Sequence, residues 1–330
     1  MAALPLEFQK RMKNLLGQEY EAFEACYDKP GFRAIRVNPL KCSADALRGF
    51  LPFSLTPAPF ATGSYYIPQQ AAGLGRQPLH HAGAFYVQEP SAASAVTVLA
   101  PVPGDRVLDL CAAPGGNSTQ IAGALQGQGL LWSNEVVRNR AQVLLSNMER
   151  MGVRNAVVSS CRPDLLCERL AGYFDKVLVD APCSGEGMFR REPQAVKEWS
   201  LAHTVACAAR QLAILNSAAQ AVREGGVLVY STCTFAPVEN EGVVSAFLQK
   251  HPGFVLEETG LSGGRQGIPS CGDGTPSLKK TRRIYPMDGG EGHFVAKMRR
   301  LQENSNAPAS YEFTAQKKPE ERLAEALYKE

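Results

Sequence analysis

The sequence predicts an α/β protein built on a doubly wound parallel sheet, with a smaller α+β unit in front of it. From residue 105 onward, segments with strand character alternate with segments of helical periodicity, which is typical of repeated βαβ units. One of them, FDKVLVD at 174–180, is apolar enough to be a central strand that is covered on both faces. The first 90 residues lack this alternation, and they therefore predict a separate unit.

Apolar spacing and capping residues define the elements of the first unit. In order, they are helical segments over 4–26, a strand over 33–38, a helix capped by Ser43 and ending at Phe50, an irregular stretch over 51–80 and a helix over 88–100.

The second unit is predicted in the same way. Its strands are expected at 106–110, 129–135, 155–160, 174–180, 226–232 and 292–298. Its helices are expected at 118–125, 138–151, 203–222 and 238–250. Residues 257–281 are rich in Gly, Ser and Pro and predict a surface loop, and a further helix is expected to begin near Pro319.

Composition excludes several classes of protein. The 330 residues carry a net charge of +3 and are 45% hydrophobic, which excludes a disordered chain. The nine Cys are too dilute for a disulfide-stapled mini-protein, and without any CxxC pair they predict neither a zinc site nor thioredoxin chemistry. No apolar run reaches the roughly 20 residues of a membrane span, and the N-terminus has no secretory h-region. We therefore expect a protein of the reducing cytoplasm, with no membrane and no metal.

The first strand of the sheet leads into a glycine-bearing loop, DLCAAPGGNST at 109–119. Ligands of open α/β sheets bind at the carboxyl ends of the strands, and Gly115 and Gly116 allow a close approach to the backbone. Glu135 follows Gly115 by 20 residues, an offset suited to ribose hydroxyls. Because the loop is neither G-x-G-x-x-G nor a Walker loop, the pattern favours a nucleoside cofactor without a pyrophosphate, such as S-adenosylmethionine.

Two cysteines follow neighbouring predicted strands, Cys183 after the fourth and Cys233 after the fifth. Adjacent strands lie about 4.8 Å apart, so both thiols are expected at one crevice with the glycine loop. A thiolate that adds to C6 of cytosine makes C5 nucleophilic enough to accept a methyl group, and a second thiol suits the later loss of the C5 proton. Asp180 is placed to polarise the base near N3. Two buried structural cysteines remain the alternative for either residue alone.

The motifs DLCAAPGGNST, DAPCSGEGMFRR (180–191) and STCTFAPVENEG (231–242) resemble the Sun (nucleolar-protein) family of RNA cytosine-C5 methyltransferases. Further segments resemble its bacterial RsmF/YebU-like branch, namely RVNPLK at 36–41, YVQEPSA at 86–92 and GEGHFVAKM at 290–298. The resemblance covers about residues 4–300. It implies a class I S-adenosylmethionine-dependent methyltransferase, a Rossmann-like fold with a mostly parallel seven-stranded sheet.

The resemblance also implies residue roles. Cys233 would be the nucleophile, Cys183 would assist proton removal and product release, and Asp180 would touch both base and cofactor. The methionine end of the cofactor would be wrapped by Cys111, Ala112, Ala113, Pro114, Gly115, Gly116 and Asn117, with the ribose on Glu135 and Arg140 in support. Contacts to RNA are expected from Arg36, Asn38, Arg190 and Arg191.

The expected organisation is an N-terminal RNA-binding or support domain (1–90), a catalytic domain (91–300) and a linker or the start of a C-terminal region (301–330). The branch implies small-subunit (16S) ribosomal RNA as substrate and a monomeric enzyme. Branch members commonly carry a further RNA-binding domain, so the sequence is expected to be a shorter form or a piece of a longer chain. The alternatives are a transfer-RNA cytosine-C5 methyltransferase, a non-catalytic ribosome-assembly factor, and a DNA or small-molecule methyltransferase.

Two positions depart from the family pattern. Asn117 stands where the family usually has Lys, which removes a cation from the rim of the site. The segment SSCRPDLL at 159–166 lacks an acidic residue at the usual adenine-contacting position, so that contact stays unassigned.

Overall fold

A four-stranded antiparallel sheet precedes a nine-stranded mixed sheet in the computed structural model, which describes residues 4–71 and 73–302. The predicted α/β fold is thus observed, with a small N-terminal α+β unit. The helix expected near Pro319, together with residues 303–330, lies outside the described residues.

The N-terminal unit has its strands in the order β2-β3-β1-β4. Its strands are β1 (Ala34–Val37), β2 (Thr56–Pro57), β3 (Ser64–Tyr66) and β4 (Phe85–Val87), and its helices are α1 (Leu6–Leu16), α2 (Tyr20–Glu24), α3 (Ala44–Phe50) and α4 (Pro78–His81). The helical pattern over 4–26 is divided at Gly17, whose φ of 53° lies in the left-handed region. The stretch expected to be irregular, 51–80, contains two short strands. Ser43 caps α3 as predicted, since its hydroxyl accepts a hydrogen bond from the Ala46 amide.

The large sheet has the strand order β11-β12-β13-β9-β8-β5-β6-β7, and β10 also pairs with β13. Its strands are β5 (Arg106–Asp109), β6 (Leu130–Asn134), β7 (Ala156–Ser159), β8 (Phe174–Asp180), β9 (Val222–Thr232), β10 (Phe254–Glu257), β11 (Arg265–Gln266), β12 (Arg282–Ile284) and β13 (His293–Arg300). The helices of this unit are α5 (Ser94–Leu99), α6 (Gly116–Leu125), α7 (Arg138–Met151), α8 (Pro163–Arg169), α9 (Pro193–Glu198), α10 (Leu201–Ala221) and α11 (Glu241–Lys250).

Strands β5 to β9 pair in parallel, and β13 runs antiparallel to β9. The sheet has nine strands where seven were expected. The two short strands β11 and β12 extend one edge, and β11 lies inside the segment expected to be a loop. Because each has only two or three residues, neither carries a periodic pattern that sequence reasoning can detect.

The N-terminal helices pack against the second unit through an aromatic cluster. Phe8 and Phe23 are buried, and their ring centroids lie 6.4 and 5.5 Å from that of Phe235, which follows Cys233 by two residues. Phe8 also meets the edge of Phe189 at 5.1 Å. The loops that follow β8 and β9 are therefore buttressed by the first two helices of the chain.

Candidate active site

A cavity of about 700 Å³ opens at the carboxyl ends of β5, β6, β8 and β9. This is the edge at which ligands of open α/β sheets bind. Seven of the residues singled out in the sequence line it, namely Cys111, Ala113, Glu135, Arg140, Asp180, Cys183 and Cys233. The structure therefore brings the glycine loop, the acidic end of β6 and both cysteines to one place.

The loop after β5 is held by three side chains from two other elements, α7 and β1. Arg140 donates to the Ala113 carbonyl at 3.0 Å, Asn147 to the Pro114 carbonyl at 2.8 Å, and Arg36 to the Gly116 carbonyl at 2.8 Å. Gly115 has a φ of 112°, a conformation that L side chains rarely adopt. Of the predicted cofactor segment, Cys111 and Ala113 line the cavity, while Ala112 is buried beneath it. Pro114, Gly115, Gly116 and Asn117 shape the loop and are not among the lining residues.

Glu135 sits directly after β6 and is only 3% exposed. One carboxylate oxygen accepts a hydrogen bond from the Val137 amide at 2.9 Å, and the other lies 3.3 Å from the Arg140 guanidinium. Arg140 thus joins Glu135 to the loop after β5. The carboxylate is fixed in orientation at the wall of the cavity.

The two cysteine sulfurs, Sγ of Cys183 and Sγ of Cys233, lie 3.2 Å apart. The register explains this closeness, since Asp180 at the end of β8 pairs with Ser231 of β9. The hydrogen bond with Cys233, followed by burial, raises the pKa of Cys183 well above its usual value. In the resting pair, therefore, Cys183 holds its proton and is placed to donate it to the Cys233 sulfur.

Asp180 accepts two hydrogen bonds beside the cysteines. Its Oδ1 accepts from the Ser231 hydroxyl at 2.7 Å and its Oδ2 from the Asn117 amide at 2.8 Å. Asn117 therefore supplies a neutral donor to Asp180 from the place where the family usually has a cation. His293 also borders the carboxylate, with Nε2 3.7 Å from Oδ1.

Three of the four residues expected to contact RNA are engaged inside the protein, so that prediction does not fit the structure for them. Arg36 is 4% exposed and donates to Gly116 and Thr119 in the loop and first turn of α6. Asn38 is 2% exposed and donates to the carbonyls of Gly83 and Met151, both at 2.8 Å. The Arg190 side chain is 3% exposed, faces Glu291 at 3.3 Å and donates to the Pro30 carbonyl. Arg191 alone is exposed.

The segment after β7 contributes no acidic side chain to the cavity wall. The backbone of Cys161 is bonded through both its N–H and its carbonyl to the Asn134 side chain. Asp164 is turned toward Arg162 at 2.6 Å. The neighbouring wall is apolar, formed by Val136, Pro163 and Ile214. This apolar wall is therefore suited to packing against a flat heteroaromatic ring.

Two buried glutamates that sequence reasoning missed connect the cysteine loops. Glu239 accepts from the Ser184 amide at 3.0 Å, from Gln211 at 2.8 Å and from the Thr234 hydroxyl at 3.3 Å. Glu186 accepts from the Phe235 amide at 3.0 Å and from the Trp199 indole at 2.7 Å. Acidic residues in loop segments are usually solvated, and so only the unusual density of Glu in SGEG and ENEG could have signalled them.

Asp109 is a third buried acid outside the predicted set. It ends β5, has no exposed surface, and accepts from the Ser118 hydroxyl at 2.6 Å through Oδ2, while its Oδ1 has no partner among the described residues. Burial raises its pKa to about 7. Within residues 4–71 and 73–302 there is neither a cluster of metal-ligating side chains nor a helix able to cross a membrane.

Two protein families match adjoining parts of this chain. The family described as 16S rRNA methyltransferase RsmB/F matches residues 96–299, which is more than half of the chain. The N-terminal domain of 16S rRNA methyltransferase RsmF matches residues 4–90.

Two relatives that bear the name ribosomal RNA small subunit methyltransferase F match most of this chain. The chain is 36% identical over 312 residues to ribosomal RNA small subunit methyltransferase F of Erwinia tasmaniensis, covering 90% of this chain and 63% of the relative. It is 36% identical over 317 residues to the protein of that name from Vibrio cholerae, covering 91% and 64%. The chain thus spans just under two thirds of the length of these relatives.

Two solved structures superpose on most of this chain. A methyltransferase homolog protein from Pyrococcus horikoshii superposes with a TM-score of 0.78 at 30% identity, covering 89% of this chain and 94% of that one. NSun6 from the same organism, with the S-adenosylmethionine analogue SFG, superposes with a TM-score of 0.79 at 25% identity, covering 91% and 99%. The predicted S-adenosylmethionine-dependent methyltransferase fold and its cofactor class are confirmed by these matches. The chain belongs to the 16S rRNA methyltransferase RsmB/F family, in agreement with the Sun-family, RsmF-like resemblance of its motifs.

Proposed function

We propose that this protein methylates C5 of cytosine in RNA, with small-subunit ribosomal RNA as its substrate and S-adenosylmethionine as its methyl donor. The observation that carries the proposal is the 3.2 Å separation of the Cys183 and Cys233 sulfurs beside Asp180 in a single cavity. A methyltransferase acting on a nucleophilic nitrogen or oxygen atom needs no thiol. A nucleophilic thiol is needed where the target carbon must first be activated by covalent addition, and a second thiol suits the later loss of the C5 proton.

The residues present fit the cofactor. The cavity volume of about 700 Å³ lies in the range typical of small-molecule sites. A Cβ added to Gly116 would lie 3.1 Å from the Gln88 side chain, so the loop is already close-packed behind the site. Residues 111–117 would hold the methionine end, Glu135 the ribose hydroxyls, and the apolar wall at Val136 and Ile214 the adenine. Bound there, S-adenosylmethionine supplies an electrophilic methyl group to C5.

Cys233 is the nucleophile in this proposal. Its sulfur forms a bond to C6. The electron pair of the C5–C6 double bond then shifts toward C4 and N3, which makes C5 enamine-like. Cys183, with its raised pKa, keeps a proton within hydrogen-bond distance of the Cys233 sulfur before the attack. The assignment of attack to Cys233 follows the family motif, and the coupling of the two sulfurs supports it.

Asp180 faces the pyrimidine edge near N3. Its carboxylate is held by Asn117 and Ser231, and it is therefore preorganised to stabilise a proton on N3 as electron density builds up there. The donor from Asn117 keeps Asp180 oriented without neutralising it. This arrangement argues against the non-catalytic assembly factor that the loss of the usual Lys had suggested.

Cys183 then assists the last steps. The C5 proton must leave after C5 has accepted the methyl group, and the S–C6 bond breaks as the ring regains its double bond. In the addition step the proton of Cys183 passes to N3 of the activated ring, on the side that Asp180 faces, and it leaves as H⁺ when the ring is restored. The Cys183 thiolate left behind is a strong base, because its pKa is raised, and it accepts the weakly acidic C5 proton.

RNA is supported as substrate by the family and by the descriptions of the relatives. The sulfurs lie in a cavity, and so the target base must leave its stack to reach them. Loops of ribosomal RNA or an assembly intermediate of the small subunit satisfy that need better than a closed duplex. Arg191 remains the exposed cation proposed to meet phosphate near the cavity.

The test is to incubate the protein with tritiated S-adenosylmethionine and either small ribosomal subunits or transfer RNA, both lacking 5-methylcytosine. Wild type is compared with Cys233→Ala, Cys183→Ala and the control Cys42→Ala, whose half-buried thiol lies in the N-terminal unit. We expect no product from Cys233→Ala, a protein–RNA adduct that survives SDS from Cys183→Ala, and wild-type activity from Cys42→Ala.

Each contrary result rejects a stated part of the proposal. Full activity of Cys233→Ala removes the nucleophile assignment. If transfer RNA is methylated and the small subunit is not, the substrate is transfer RNA and the assignment to ribosomal RNA is wrong. RNA binding without turnover on either substrate favours the assembly factor.

A further inference from the structure

His293 begins β13, the strand that runs antiparallel to the strand leading to Cys233. Phe294 of β13 lies opposite Thr232 of β9. Continuing this register by one residue sets His293 alongside Cys233, and directly opposed residues in such pairs have Cβ atoms about 4.5–5.5 Å apart. His293 also lines the cavity that holds Cys183 and Asp180.

The imidazole of His293 has no hydrogen-bond partner in the described part of the chain, at either Nδ1 or Nε2. The residue is only 3% exposed. Asp180 Oδ1 is 3.7 Å from Nε2, beyond hydrogen-bond distance, and both carboxylate oxygens already accept from Asn117 and Ser231. The protein therefore leaves the donor capacity of this ring unused.

Buried polar groups in native proteins are almost always paired, since an unpaired one destabilises the fold. A phenyl ring would fill the same space at the start of β13 without that penalty. An unpaired imidazole at the wall of a ligand-sized cavity consequently points to a partner that arrives with the ligand.

We propose that His293 is a catalytic residue that donates a hydrogen bond to the carbonyl oxygen O2 of the target cytosine, an inference that rests on the proposed function. When the Cys233 sulfur bonds to C6, the displaced electron pair is delocalised onto N3 and O2. Asp180 serves the N3 side, and His293, which borders Asp180, serves O2 with an N–H. A donor placed where negative charge grows stabilises the transition state more than the ground state.

The experiment compares wild type with His293→Phe, which keeps a flat ring, and His293→Gln, which restores an N–H donor near the position of Nε2. The removal of one such donor typically lowers kcat by about 10²-fold. We expect that loss in His293→Phe, and recovery of at least about tenfold in His293→Gln. Binding of S-adenosylhomocysteine should match wild type in both variants, and the melting temperature of His293→Phe should be no lower than that of wild type, which a merely structural role would not allow.

A second measurement tests the contact between His293 and O2 of the cytosine. A short RNA containing the mapped target is made with cytosine or with 2-thiocytosine, whose sulfur is a weaker acceptor than O2. Wild type should methylate the thio-RNA about tenfold more slowly, whereas His293→Phe should treat both RNAs alike, because the two changes remove the same hydrogen bond.

The two hypotheses fail in different ways. Suppose that wild type methylates RNA. The role of His293 is then rejected, while the proposed function stands, if the kcat of His293→Phe stays within threefold of wild type or if the kcat of His293→Gln is no higher than that of His293→Phe. Equal sensitivity of wild type and His293→Phe to the thio-RNA rejects the contact to O2. A wild-type protein that forms no 5-methylcytosine rejects the proposed function, and the role of His293 with it.

Discussion

Asn117 donates a hydrogen bond from its side-chain amide to Asp180 at 2.8 Å, and it thereby joins the first turn of α6 to the end of β8. The start of α6 belongs to the proposed cofactor segment, and the loop that carries Cys183 follows β8. The orientation of the carboxylate that we propose to face the base therefore depends on a residue of the proposed cofactor segment.

Asn117→Asp should disable the site electrostatically while changing almost no atoms. It sets a second carboxylate against Asp180, and two adjacent carboxylates raise the pKa of one of them. We expect kcat at least about tenfold below that of Asn117→Ala at pH 8, and the gap between the two variants should narrow toward pH 6 as one carboxyl binds a proton. Rates from pH 6 to 8 measure this. A constant ratio between the variants across that range would show that charge repulsion is not the cause.

Asp109 predicts a pH-dependent stability. Burial raises its pKa to about 7, so the folded protein binds this proton more tightly than the unfolded chain does. The associated stability is complete below the unfolded pKa of about 3.9 and is lost as the pH rises through about 7. Asp109→Asn stays neutral throughout. We expect urea unfolding between pH 5 and 8 to show the variant gaining stability relative to wild type as the pH rises, by up to about 3 kcal/mol, because about two pH units separate pH 5 from the folded pKa.

The matched control for that measurement is Asp164→Asn, because Asp164 is exposed and pairs with Arg162 at the surface. It should leave the slope of stability against pH between 5 and 8 unchanged. Equal slopes for wild type and Asp109→Asn would mean that Asp109 is already ionised in the folded protein.

The cysteine pair predicts reversible inactivation by a thiol oxidant such as diamide. The sulfurs are 3.2 Å apart, and a disulfide needs about 2.05 Å, so a small movement joins them. We expect activity to fall with the appearance of a Cys183–Cys233 disulfide in non-reduced peptide maps, and dithiothreitol to restore it. Cofactor binding by Cys183→Ala should be insensitive to the oxidant. Inactivation of wild type without this disulfide would place the sensitive thiol elsewhere.

Arg191 and Arg36 should separate RNA contact from support of the cofactor loop. Arg191→Ala removes an exposed cation, so we expect a several-fold higher Kd for RNA and a salt slope smaller by about 0.7–0.9, as for one phosphate contact. Arg36→Lys keeps the charge but loses the guanidinium contacts to Gly116 and Thr119. It should lower the melting temperature and weaken S-adenosylhomocysteine binding while the Kd for RNA stays within about twofold. Filter binding at several salt concentrations, together with calorimetry, distinguishes the two variants.

The parallel part of the sheet is predictable from sequence because each of its strands is a continuous apolar run. FDKVLVD was placed at 174–180, and β8 spans Phe174–Asp180. The meeting of Cys183 with Cys233 is also predictable, since it needs only that strands β8 and β9 be neighbours. Strands β10 to β12 were missed, because two to four residues carry too little periodicity.

Side-chain partners distant in sequence account for the other differences. The expectation that Arg36 contacts RNA rests on its resemblance to the family's Arg-x-Asn strand. Its partners, Gly116 and Thr119, lie some 80 residues away, and no local pattern reveals them. Glu239 and Asp109 are similar, since their burial depends on the packing of several loops.

The contact of Arg36 with the Gly116 carbonyl means that the second unit depends on the first, so truncating the N-terminal unit would disturb the site. A fragment beginning near residue 91 would lose the guanidinium that orders the glycine loop, and it would expose Phe189 and Phe235 where Phe8 now covers them. The leading 90 residues are thus an integral support of the loops that surround the cavity. Swapping them between homologues to redirect substrate choice would require transplanting the matching face of the downstream unit as well.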